Sequence, residues 1–215
     1  MKNKSFLFFL IPYIYCLLHG AFYLFFTEKG SAFWLINDYH NPFFDLLFKY
    51  GTMLGEGILG FIILIALALF VSYRKTIIAA IVYLLIAVFS YVLKHHIFKG
   101  ELRPTAYFVD RLAEINVVEG VKVHALNSFP SGHTMAAFGF YTLLALLIPN
   151  KYIAALCFFM AIIVGTSRIY LAQHFLVDVY VGSIISVFTA MFIYFLFNKM
   201  NWLNTEKFNN KLLHF

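Results

Sequence analysis

Six apolar stretches, each close to the thickness of a bilayer, constrain this chain more than any single motif. A helix needs about 20 mostly apolar residues to cross the hydrocarbon core. Residues 6–26, 54–73, 76–97, 132–149, 152–169 and 174–197 approach that length. Charged residues make up 12% of the 215-residue chain and hydrophobic ones 62%, against roughly 25% charged in an average soluble domain. So few charges cannot cover the surface of a soluble protein. The expectation is an all-α fold, an integral membrane bundle of six transmembrane helices forming one domain over 1–215.

The first apolar run follows Lys2 and Lys4 as a signal peptide would, but it continues to Phe26 without a small-residue cleavage site. It reads as a retained span. Residues 33–50 mix Trp34, Phe43, Phe44, Leu46, Leu47 and Phe48 with Asp38, Asp45 and Lys49. That stretch is too polar to span and reads as one interfacial amphipathic helix. Cys16 and Cys157 lie inside apolar runs and imply neither a disulfide nor a zinc site.

Lys and Arg set the expected orientation. With the N-terminus inside, the cytoplasmic segments carry eight basic residues against Glu206 alone, and the opposite segments carry eight against nine acidic. Both termini are therefore expected in the cytoplasm. The loop 98–131 and the turn 168–174 then emerge together on the outer face of the cell membrane. The net charge of +6 is scattered singly between apolar runs, without the basic stripe of a nucleic-acid binder.

Those two outer segments hold the polar clusters, all within 94–178. Ionisable groups at membrane depth are costly and point to function. Arg103 and Arg168 each offer a planar fork of donors that matches phosphate oxygens, and Lys94 adds a point charge. Ser131 and Gly132 open the fourth span as a helix N-terminus, whose unpaired N–H groups form a phosphate cradle. His174 and Asp178, four apart, share one helix face. The carboxylate can hold Nδ1–H and leave Nε2 free to attack phosphorus. His133, at the start of another helix, is placed to protonate the leaving oxygen and then to activate water. No carboxylate cluster or His/Cys spacing suggests a metal, and no cofactor is implied.

Each feature has a plainer reading. A single arginine near a span end is often a snorkelling anchor, and a His–Asp pair on a helix is often a structural hydrogen bond. Their joint appearance on one side of the membrane favours the chemistry. His95, His96 and His124 lack such company and read as interfacial or loop histidines, Glu56 reads as a satisfied polar residue, and His19 and His40 carry no signal.

These clusters resemble the type-2 phosphatidic acid phosphatase superfamily, which also includes vanadium haloperoxidases. Its signature runs Lys-x6-Arg-Pro, Pro-Ser-Gly-His and Ser-Arg-x5-His-x3-Asp. Pro130-Ser131-Gly132-His133 matches the second part, and Ser167-Arg168, His174 and Asp178 match the third. The resemblance covers about residues 50–197. It implies His174 as nucleophile, His133 as acid, Asp178 as the group orienting His174, and Arg103, Ser131, Gly132 and Arg168 as phosphate ligands. The first part departs from the pattern, because eight residues separate Lys94 from Arg103-Pro104. Either the loop carries an insertion, with Lys94 as the family lysine, or Lys99 takes that role; Lys94 follows an apolar helix end and is favoured.

The implied substrate is a membrane lipid phosphate, with undecaprenyl diphosphate ranked first and phosphatidylglycerophosphate, phosphatidate or lipid A after it. Nothing in residues 105–129 separates these. The rivals are a vanadium-dependent haloperoxidase, whose soluble members the apolar spans argue against, and a non-enzymatic lipid-phosphate binder or transporter, which would not need both histidines.

Overall fold

The structure is a computed structural model that describes residues 4–201 and 203–212. Lys2, counted above on the cytoplasmic side, lies outside them. Among the described residues the regular structure is helical, without strands. In order they form α1 (Leu7–Phe26), α2 (Ser31–Asn37), α3 (Pro42–Gly51), α4 (Gly57–Phe70), α5 (Tyr73–Val92), α6 (Pro104–Tyr107), α7 (Gly132–Leu147), α8 (Lys151–Tyr170), α9 (Leu176–Lys199) and α10 (Glu206–Asn209).

Local signals explain most boundaries. Ser72 caps α5 by accepting from Lys75 N, and Asn150 caps α8 by accepting from Tyr152 N at 2.9 Å. At Asn41 the side chain accepts from Phe43 N and Phe44 N, with Pro42 in the first turn. That is a strong helix start, and it corrects the single helix expected over 33–50. One helix ends at Asn37 and Asn41-Pro42 begins the next, so the interfacial stretch is two short helices, α2 and α3.

Packing places α7 at the centre, against α5, α8 and α9. Every residue from Ala137 to Leu147 is buried, which is why this helix is apolar all round and has no polar face. The rim is the reverse. Phe22, Phe25, Phe61, Phe188 and Phe192 are exposed, an apolar girdle that needs lipid around it.

Four helices are long and apolar enough to cross a membrane: Lys4–Phe26, Tyr73–Ile97, Lys151–Tyr170 and Leu176–Lys199. A fifth candidate is the pair Pro42–Gly55 and Gly57–Phe70, bent by 56°. The chain is a multi-pass membrane protein on this ground. The remaining expected span, the fourth in sequence, is α7, which has 16 residues, about 24 Å at 1.5 Å per residue, and falls short of the length criterion. The bend of the fifth is set at Glu56, which adopts an extended conformation between the 3-10 turn Thr52–Gly55 and α4.

The interfacial helices are tied to the end of α8. The Asn37 side chain donates to Tyr170 O and to Asn116 O, each at 2.9 Å, while the Tyr170 hydroxyl donates to Asp45 at 2.5 Å. These bonds hold the end of α2 and α3 against the segment that carries Arg168.

Candidate active site

Three chain segments converge at one end of the bundle. The loop residues 101–103 and 125–128 pair through their backbones, with Arg103 N donating to Ala125 O and Ser128 N to Glu101 O. The start of α7 is tied to the start of α9, where Ser131 N donates to Asp178 O at 3.1 Å. The turn after α8 closes on itself, with Gln173 N and His174 N both donating to Arg168 O. Two glycines permit the approach. A Cβ on Gly55 would lie 2.8 Å from His133 O, and one on Gly182 would lie 3.2 Å from Ser131 O.

His174 is 1% exposed, yet it lines a cavity of about 530 Å³. Its Nδ1 lies 3.3 Å from Asp178 Oδ2. The same carboxylate oxygen accepts from Ser128 Oγ at 2.5 Å and from Phe175 N at 2.9 Å. Three donors on one oxygen fix the carboxylate, and the carboxylate fixes the ring with Nδ1 as its proton-bearing nitrogen. Burial, then Arg103, Lys94 and Arg168, hold the His174 imidazole well below its ordinary value. A neutral ring with a free Nε2 is the form a nucleophile requires.

His133 lines the same cavity, together with Gly132, Lys94, Arg103 and Arg168. Ser131 caps α7, its hydroxyl accepting from Thr134 N and from the Thr134 hydroxyl. The N–H groups of Gly132 and His133 belong to the first turn, where no intrahelical acceptor exists. Arg168 donates through Nη1 to Thr52 Oγ1 at 2.6 Å, while its buried Nε has no partner among the described residues. A buried guanidinium donor without an acceptor is costly unless a ligand supplies one. Arg103 is anchored by Nε to Leu126 O and by Nη1 to Gln173 O and Oε1. Lys94 donates to Asn127 O at 3.2 Å, the carbonyl of a residue held at φ 56°.

The structure brings Lys94, Arg103, Gly132, His133, Arg168 and His174 to one cavity, while Asp178 stands behind His174 and the Ser131 side chain is turned to cap α7. Lys94 sits in a π-helical turn, Leu93–Ile97, that widens the end of α5; such a turn is where an extra residue is accommodated. Lys94 lines the cavity, whereas Lys99 is exposed and does not. Several cavity residues had no signal in the sequence. Ser128, Thr52 and Gln173 act as partners of catalytic-type side chains, and Lys49, Lys122 and His124 line the cavity wall. His124 is therefore no isolated loop histidine.

A second cavity, of about 780 Å³, opens between α4 and α5. It is lined by Ile58, Tyr83, Ile86 and Tyr91, and it shares Glu56, Lys94, Gly132 and His133 with the first.

Comparison with known proteins agrees with this geometry. The family model described as PAP2 superfamily matches residues 75–202. The crystal structure of Aquifex aeolicus LpxE superposes with a TM-score of 0.69 at 30% identity, covering 79% of this chain and 96% of that one. A transmembrane PAP2-type phosphatidylglycerolphosphate phosphatase from Bacillus subtilis shares the fold, with a TM-score of 0.63 at 23% identity over 94% of this chain and 100% of that one. No curated protein sequence matches the chain. A match over more than half the length, together with a fold shared almost end to end with LpxE, shows that the chain belongs to the PAP2 superfamily.

Proposed function

We propose that this protein is a lipid phosphatase of the cell membrane that works through a phospho-histidine and needs no metal. The observation that carries the reading is that His133 and His174 line one cavity together with Lys94, Arg103 and Arg168. His174 Nε2 attacks phosphorus and the bond to the leaving oxygen breaks. His133 donates its proton to that oxygen, and the negative charge of the bound phosphate favours the protonated imidazole beforehand. His133 then takes a proton from water, the hydroxide attacks phosphorus, and the P–N bond breaks to release phosphate. The charge on the transferring group is met by the three cations and the Gly132 and His133 amides, a preorganised set of donors.

In this reading six helices are embedded. The fifth candidate counts α4 through its bent partner, and α7 is short because its N-terminus begins at the site, below the outer surface. The lysine and arginine count supports termini in the cytoplasm and a site on the outer face. The apolar cavity beside His133 suits a lipid chain. Resemblance ranks undecaprenyl diphosphate first among substrates, then phosphatidylglycerophosphate, phosphatidate and lipid A.

The test is phosphate release in detergent from a panel of these lipids. One or more of them is expected to be hydrolysed in the presence of EDTA, with competitive inhibition by vanadate, which mimics the pentavalent state. Dependence on added Mg²⁺, or indifference to vanadate, overturns the mechanism.

A further inference from the structure

The inner cations are not the only ones in the catalytic cavity. Lys49 from α3, and Lys122 and His124 from the loop ahead of α7, line its wall. Distant segments are held together to achieve this. Lys49 Nζ donates to Glu119 O at 2.7 Å, and Gly120, at φ 76°, passes so close that a Cβ there would lie 2.9 Å from Nζ. Gln173 links the two tiers, since its Oε1 accepts from Arg103 and its Nε2 donates to Lys122 O at 3.0 Å. Arg103 and Arg168 are buried, whereas Lys122 and His124 are exposed. The outer tier thus stands at the aqueous mouth.

Charge and access both argue that this tier has its own ligand. Lys49, Lys94, Arg103, Lys122 and Arg168 line the cavity against a single carboxylate, Glu56. A phosphate monoester carries about two negative charges, which the three inner cations already meet. Burial, then Arg103, Lys122, Arg168 and Lys94, hold His124 below its ordinary value, so it senses both tiers and an arriving anion favours its protonation. The apolar cavity between α4 and α5 shares Lys94 and His133 with the site but includes none of Lys49, Lys122 and His124. A lipid chain on one side and an anion on the other can be bound together.

We propose that Lys49, Lys122 and His124 form a second phosphate-binding site at the aqueous mouth, separate from the position of phosphoryl transfer. The assignment rests on the phosphatase reading above. Its ligand is a phosphate group from one of two sources: a second phosphate within the substrate headgroup, or the orthophosphate released by hydrolysis and on its way to water.

The experiment uses the full chain in detergent and the double variant Lys122→Gln/His124→Gln, with a prenyl diphosphate and phosphatidate as substrates and inorganic phosphate as inhibitor. A tethered second phosphate raises the ratio of KM for the diphosphate to KM for phosphatidate by about tenfold, the effect of roughly 1.4 kcal/mol of lost binding. Released phosphate instead gives a lower kcat on both lipids, with a pre-steady-state burst and a severalfold weaker inhibition by inorganic phosphate. Either result supports the site. Unchanged KM ratio, kcat and inhibition in the double variant overturn it. If the wild type releases phosphate from no lipid of the four-member panel above, the phosphatase reading fails on its own. Calorimetric titration with inorganic pyrophosphate then decides the outer site: binding weakened in the double variant supports it, and identical isotherms overturn it.

Discussion

The two halves of the candidate site are built to different standards of rigidity. On the His174 side everything is fixed: the ring is buried, its Nδ1 faces Asp178, and that carboxylate oxygen accepts from Ser128, Phe175 and the ring itself. On the His133 side, the imidazole is only partly buried, lies at the junction of two cavities, and stands beside a lysine with a single carbonyl partner. The difference suits the two proposed roles. A nucleophile gains from one orientation held before substrate arrives. An acid that serves first a leaving oxygen and then a water must reach two positions.

Two substitutions test that contrast. His174→Ala removes the proposed nucleophile, and phosphate release is expected to fall by roughly 10⁴-fold or more while the helical circular dichroism and detergent elution profile persist. An active variant removes His174 as nucleophile. His133→Ala is expected to cost less, about 10²- to 10⁴-fold, the usual contribution of proton transfer. Its deficit is expected to shrink on an aryl phosphate such as p-nitrophenyl phosphate, whose leaving oxygen needs no proton. An equal deficit in kcat/KM on alkyl and aryl substrates would remove His133 as the acid that serves the leaving oxygen.

What the sequence disclosed follows the same division. Apolar length and the ordered clusters of Arg168, His174, Asp178 and Ser131-Gly132-His133 are local signals, because one helix or one turn carries each. Partners delivered by tertiary folding leave no such trace. Ser128 meets Asp178 across the chain, Thr52 meets Arg168, and Gln173 bridges Arg103 to Lys122. A hydroxyl or an amide becomes a partner by position, with no spacing rule to announce it. His124 carries no sequence signal for the same reason: its company of cations comes from the end of α5, from α8 and from the loop around Arg103. The break between α2 and α3 was different, because Asn41-Pro42 is a readable start signal that the amphipathic pattern of 33–50 obscured. Likewise the length of α7 was overestimated because hydropathy continues past Leu147, where the helix ends.

Ser128→Ala is the gentlest probe of the rigid half. It deletes one of three donors to Asp178 Oδ2 and leaves His174, Asp178 and the Phe175 amide in place. Losing a hydrogen bond to a charged group costs roughly 1.5–3 kcal/mol, and part of that is recovered if water reaches the carboxylate, so kcat/KM is expected to fall about tenfold. The pH profile separates orientation from protonation. Burial holds His174 well below the ordinary histidine value, so a proton binds the free enzyme only at more acid pH and the neutral ring is favoured above it. The ratio of wild-type to variant kcat/KM is therefore expected to stay flat between about pH 6.5 and 8. A ratio that grows toward the acid end would mean that Ser128 governs the charge of His174, and the picture of a ring held for its direction alone would have to be given up.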